Sequence, residues 1–257
     1  MTSVTSLRLT LSLPFVFLLF IEPLITILLL GLLAGAAIPV GGFLAKIESI
    51  HPAWLEAEFR HFVIAFGGGA LLSAVALVLV PHGMEHLSVV PVVFWFLAGS
   101  LAMMALDIYL ERSKMSVSNL VAMLSDFLPE AIALGATFGS GQGGGLLLAL
   151  LIAMQNLPEG FNAYREMMSQ GKLSSRMVLA SFIVLSLLGP LCAGGGYLLL
   201  RTHTEVVAAL AVFAAGAILY IVFGDIAPQA KLERRWAPPL GAVCGFLLGV
   251  VGQMLLM

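Results

Sequence analysis

Two short segments hold the residues best suited to chemistry. Asp126-Phe127-Leu128-Pro129-Glu130-Ala131 and Gln155-Asn156-Leu157-Pro158-Glu159-Gly160 follow one pattern. Each places oxygen-bearing side chains at i and i+4, with Pro between them at i+3. On a helix that spacing puts both side chains on one face, one turn apart. Each Pro removes a backbone hydrogen bond. The freed carbonyl needs a partner where water is absent. Brought together, Asp126, Glu130 and Glu159 repel one another and take up protons unless a cation sits among them. With Gln155 they form an all-oxygen set for a divalent cation, completed by water. The plainer alternative is a pair of structural kinks whose acids are protonated or bonded to one another. Asn156 is placed to orient a carboxylate or to pack between helices. Ser125 is placed to cap a freed carbonyl.

Further groups fall toward the two ends of such a path. His82, Glu85 and His86 cluster after Pro81 and form a candidate entrance, or else a solvated loop. Asp107 and Asp225 form a candidate exit, with an ion pair to Arg112 or Lys114 as the alternative for Asp107. Glu56, Glu58, His51 and His61 read as a solvated loop. Cys192 and Cys244 lie in apolar runs and read as core thiols.

The elements that hold these residues are membrane helices. Of 257 residues, 60% are apolar and 10% are charged, against about 25% charged in a soluble domain. The mean hydropathy is +1.07. Disordered chains and nucleic-acid binders need far more charge. A membrane helix needs about 20 mostly apolar residues. Eight stretches qualify, near 25–45, 62–81, 90–110, 118–138, 145–164, 177–199, 206–224 and 238–256. A shorter apolar stretch, Leu7 to Ile21, precedes them. Glu22-Pro23 predicts a break there, so residues 1–24 form an extra N-terminal helix and 25–257 the main domain. That extra stretch is a short tilted span, an interfacial helix or a signal-peptide core. If all nine stretches cross, every Lys and Arg except Arg201 falls on one side. The positive-inside rule then puts the N-terminus in the cytoplasm and Met257 outside.

At the paired Pro-Glu segments the sequence resembles the ZIP (Zrt/Irt-like) family of divalent metal transporters. Leu33-Ala34-Gly35, Phe66-Gly67-Gly68-Gly69 and Ala215-Gly216-Ala217 resemble that family's first, second and seventh core helices. The resemblance implies an all-α polytopic membrane protein with eight core helices. It implies an inverted repeat of the first three and last three helices, alternating access and a homodimer. Members often carry a Glu before Pro in the sixth helix, where this chain has Gly189-Pro190. Phe127 also stands where a ligand is common, so one metal is expected rather than two.

The function that follows is transport of a divalent transition metal toward the cytoplasm through the cell membrane. The partners are the metal and the bilayer, and no nucleic acid. Zinc comes first through the resemblance. The oxygen set by itself suits iron, manganese or magnesium as well. The metal is substrate, and no prosthetic group is implied. A non-transporting metal sensor or scaffold is the alternative. The enzyme rival is an intramembrane aspartyl protease built on Asp107 and Asp225, which leaves the Pro-Glu pair unexplained.

Overall fold

A computed structural model describes residues 13–47, 53–113, 118–139, 145–169, 173–200, 202–230 and 236–256. Helix α1 spans Leu13–Ile47, and α2, Ala53–Ala74, continues through a π-helical turn, Val75–Leu79, into α3, Val80–His86. Then come α4 (Val89–Ser113), α5 (Ser118–Gly139), α6 (Gly145–Ser169), α7 (Ser175–Ser186) and α8 (Leu188–Leu200). Helix α9, Thr204–Ile221, passes through a second π-helical turn, Val222–Ile226, into α10, Ala227–Ala230, before α11, Ala237–Leu256.

Each of the eight expected stretches is helical. Six helices among the described residues are long and apolar enough to cross a membrane. Those six do not include α5 and α6, which carry the paired Pro-Glu segments. The molecule is therefore a helical membrane protein.

Three expectations change. No break occurs at Glu22-Pro23, because α1 runs through Pro23 and Pro39. Its N-terminal part continues the following helix instead of turning back, and its length of about 52 Å exceeds the bilayer core. Helix α2 starts at Ala53, so Glu56, Glu58 and His61 lie on a helix rather than in a loop; His51 lies outside the described residues. The stretch near 177–199 is two helices that meet at Leu187. Pro190, which has no N–H to give, follows directly. Ser174 starts the pair as a cap, its hydroxyl accepting from Met177 N at 3.3 Å.

Packing divides the helices into two groups. In one, α1 lies on α6, α7 and α8, and α5 lies on α8 and α6. In the other, α2 lies on α11, and α4 on α9. The tightest pairs are reciprocal glycine crossings. A Cβ on Gly41 of α1 would sit 2.0 Å from Leu157 O of α6, and one on Gly160 would sit 2.3 Å from Ile38 O. Gly135 and Gly196 do the same for α5 and α8, Gly69 and Gly245 for α2 and α11, and Gly99 and Gly216 for α4 and α9. Lipid tails are as apolar as leucine, so membrane helices associate through close backbone approach of this kind.

The pairing has an internal symmetry. Exchange α1 with α7–α8, α2–α3 with α9–α10, α4 with α11, and α5 with α6. The α1·α6 pair then becomes α8·α5, and α2·α11 becomes α9·α4. The two π-helical turns also correspond, and in each case a proline, Pro81 or Pro228, lies two positions beyond the turn.

Exposure follows the same plan. Of the apolar window in α4 only 11% is buried, against 67% in the α2–α3 span. Helix α4 presents its apolar side outward, whereas α2–α3 and α6 are interior.

Candidate metal path

The Pro-Glu helices put Glu130 and Gln155 side by side. Gln155 Nε2 donates to Glu130 Oε2 at 2.7 Å, and both residues are nearly inaccessible, at 1% and 2%. A buried carboxylate must be hydrogen-bonded, neutralised or bound to a cation, and here an amide supplies one hydrogen bond. The next residue of α6, Asn156, is fully buried on the side that meets α1, and its Nδ2 donates to Ala34 O at 2.9 Å. Its Oδ1 is buried with no partner among the described residues. Asn156 therefore both ties α6 to α1 and presents an acceptor oxygen.

Glu159 faces a small cavity of about 50 Å³ together with Gln155, Asn162, Asp225 and Gln229. Its walls include Gly67, Gly68 and Leu71 of α2 and Met123 of α5. The cavity thus lies where the two helix groups meet. Gly67 and Gly68 carry no side chain to fill it. Asp126 sits on α5 one turn before Glu130, and its side chain lies outside the described residues.

Ser125 behaves locally. Its Oγ donates to Val121 O at 2.7 Å, one turn back on the same helix. The carbonyl that Pro129 frees is Ser125's own, so the hydroxyl caps a different one.

Phe127 and Gly189, the two residues that depart from the pattern the sequence resembles, are both packing positions. Phe127 is fully buried. A Cβ on Gly189 would meet Gly31 O at 2.2 Å and the Phe127 ring at 3.0 Å. Gly189 and Phe127 thus meet at the crossing of α8 with α1.

At one end of this path, Gln229 Nε2 donates to Asp225 Oδ1, and Tyr220 Oη donates to Asp107 Oδ2 at 3.1 Å. The two candidate exit carboxylates thus lie on neighbouring helices, and Asp107 takes a tyrosine hydroxyl. Lys114 lies outside the described residues. Sequence reasoning missed Asn162. The available signal was its position three residues past Glu159, on the same helix face.

At the opposite end, His82, Glu85 and His86 belong to α3 and not to a loop. His82 is 4% exposed, and one ligand atom from each of the three lies within 4.8 Å of the others. The imidazole rings of His82 and His86 are 4.7 Å apart, and His86 Nδ1 lies 3.0 Å from His82 O. Gly83 lets α3 lie against α9, where an added Cβ would meet Val212 at 2.0 Å. His203 and Glu205 open α9 on the same side; His203 Nδ1 pairs with Thr202 Oγ1 at 3.1 Å.

Fold and site together define a helical membrane protein with buried carboxylate and amide groups between two helix groups. No family model matches the chain. It is 28% identical over 223 residues, 81% of its own length, to a protein of Arabidopsis thaliana named "Putative zinc transporter At3g08650". The chain spans about a third of that relative's length, 35%.

Proposed function

We propose that this protein carries a divalent transition metal across a cell membrane toward the cytoplasm, zinc foremost and iron or manganese next. The carrying observation is the Glu130–Gln155 pair, with Gln155 and Glu159 on one polar cavity between two helix groups. Ionisable groups in membrane helices are costly and mark ion paths. The likeness to a protein named as a zinc transporter supports the same reading, as does the ZIP resemblance.

In this reading α5 and α6 also cross, giving eight crossings. All Lys and Arg except Arg8 and Arg201 then lie on the cytoplasmic side. Met257 stays outside, as expected from sequence. The N-terminus moves outside, because α1 crosses once.

Asp126, Glu130, Gln155 and Glu159 hold one ion, with Asn156 Oδ1 as a further oxygen toward it. Binding requires the carboxylates to be deprotonated, and the ion displaces the Gln155 amide from Glu130. Movement of the α1/α5/α6/α7–α8 group against the other opens the cavity past Asp225 toward Asp107. Helix α4, with its open apolar side, is the surface on which a homodimer would form. Asp107 and Asp225 take different partners, Tyr220 and Gln229, which does not favour a protease dyad.

The test is metal uptake into proteoliposomes, comparing Zn²⁺, Fe²⁺, Mn²⁺ and Mg²⁺. Wild type is expected to take up at least one, and Glu130→Ala/Glu159→Ala to take up none. Folded wild-type protein that moves no metal at any pH would overturn transport and leave a sensor or scaffold.

A further inference from the structure

We propose that His82, Glu85 and His86 form a second metal site, one that chooses the cation before it reaches the oxygen site. The proposal rests on the transport reading and deepens it.

The positions are i, i+3 and i+4 on a helix, so all three side chains leave one face. A tetrahedral ion with donors about 2.0–2.1 Å away needs those donors about 3.3 Å apart. The three ligand atoms are already within 4.8 Å, so small side-chain rotations close the set. His86 Nδ1, as the N–H, donates to the His82 carbonyl. That bond fixes the tautomer and leaves Nε2 with its lone pair for a metal, a common arrangement in metal-binding histidines. His82 is buried against α9 and Glu85 is exposed. The cluster therefore has a fixed inner wall and an open outer side. Three protein ligands leave a position for water, which suits capture and release better than permanent holding.

The site is separate from the oxygen site. It lies about 15 Å further along the continuous α2–α3 helix than Leu71, which lines the central cavity. Its place is also a repeated one. In the counterpart helix, Gln229 follows Pro228 as His82 follows Pro81, and Asp225 lies within the matching π-helical turn. His82 and Gln229 thus occupy equivalent positions but carry different donors. Two imidazoles favour zinc, and likewise Co²⁺, Ni²⁺ and Cu²⁺, over Mn²⁺ and Mg²⁺, whereas an all-oxygen centre discriminates weakly. The outer cluster therefore supplies the choice that the centre lacks.

The experiment uses the full chain with the centre disabled, Glu130→Ala/Glu159→Ala, and titrates it with Co²⁺ and Zn²⁺. One equivalent is expected to bind, with a visible Co²⁺ spectrum of mixed nitrogen and oxygen ligation. Adding His86→Gln, or separately the exposed Glu85→Gln, should weaken that binding at least tenfold while the melting temperature holds. Absence of binding to the centre-disabled protein, or binding unaffected by both variants, overturns the site. In proteoliposomes, His86→Gln with an intact centre should lower the Zn²⁺ over Mn²⁺ preference at least fivefold. An unchanged preference overturns the selecting role. If wild type moves no metal while Co²⁺ still binds at His86, transport fails and with it the selecting role, but the site stands.

Discussion

The α2–α3 and α9–α10 helices are two versions of one device. Each is a long helix with a π-helical turn and a proline two positions beyond it. The outer version carries two imidazoles and a carboxylate, gathered within 4.8 Å. The inner version carries Asp225 and Gln229 already bonded to each other, beside a Tyr220–Asp107 pair. The backbone is repeated and the donor chemistry is not. In the proposed transport, a cation arriving from dilute solution would meet nitrogen donors with an open side. A cation leaving would meet oxygens that have other partners to return to. Retention at the first end and release at the second are what the proposal expects from that difference.

Breaking the shared backbone should have the largest effect. Gly160→Leu places a side chain where Ile38 O lies 2.3 Å from an added Cβ, and Gly216→Leu does so where Phe96 O lies 2.0 Å away. Neither backbone can yield without separating its helix pair. Both variants are expected to lose several kcal/mol, at or beyond the about 1–3 kcal/mol usual for overpacking, seen as loss of monodisperse protein or a sharp fall in melting temperature. If Gly216→Leu were tolerated while Gly160→Leu was not, the two helix groups would not be equivalent in packing.

Next in size is the inner end. Asp225→Asn keeps the shape and removes the charge facing the central cavity. Metal uptake is expected to fall about tenfold, equivalent to about 1.4 kcal/mol, with Co²⁺ binding at the outer cluster unchanged. Loss of outer binding in this variant would show that the two ends are coupled.

Much of this was legible in the sequence, for particular reasons. The Pro-Glu repeat gave Glu130, Gln155 and Glu159 because i, i+4 spacing is a local property of a helix. The His82–Glu85–His86 cluster was visible because the three residues lie within five positions of one another. The continuation of α1 through Pro23 was not legible. A proline disfavours the helix locally, and neighbouring helices decide whether the chain continues. Nor was the helical state of His82, because a helix passing through a π-turn shifts register without changing composition. The pairing of Gly41 with α6, or Gly135 with α8, joins residues far apart in sequence and needs the fold. Asn162 needed the cavity to be noticed.

The smaller effects separate holding from positioning. Asn156→Leu removes the Nδ2 bond to Ala34 O and the unpartnered Oδ1 together. Interhelical hydrogen bonds in membranes average about 0.6 kcal/mol, so the melting temperature should fall by a few degrees only. Metal affinity at the centre should fall about three- to tenfold if Oδ1 is the further ligand proposed above. Asn156→Asp is the sharper variant: it lacks the donor to Ala34 but keeps an oxygen. Affinity near wild type in Asn156→Asp, with the same loss of stability as Asn156→Leu, would assign the oxygen to the ion and the amide nitrogen to packing.

Tyr220→Phe should have the smallest effect. The ring stays and only the hydroxyl that donates to Asp107 is lost. Hydrogen bonds to charged groups contribute about 1.5–3 kcal/mol, and water competes for this exposed one, so stability should change little. The informative quantity is the rate at which metal leaves toward the cytoplasm. With its hydroxyl partner removed, Asp107 has less to return to when an ion departs, so release should slow by about twofold while outer-site binding and central affinity stay the same. Faster release instead would mean that Tyr220 holds the carboxylate in a binding orientation, and the inner end would then retain metal as the outer end does.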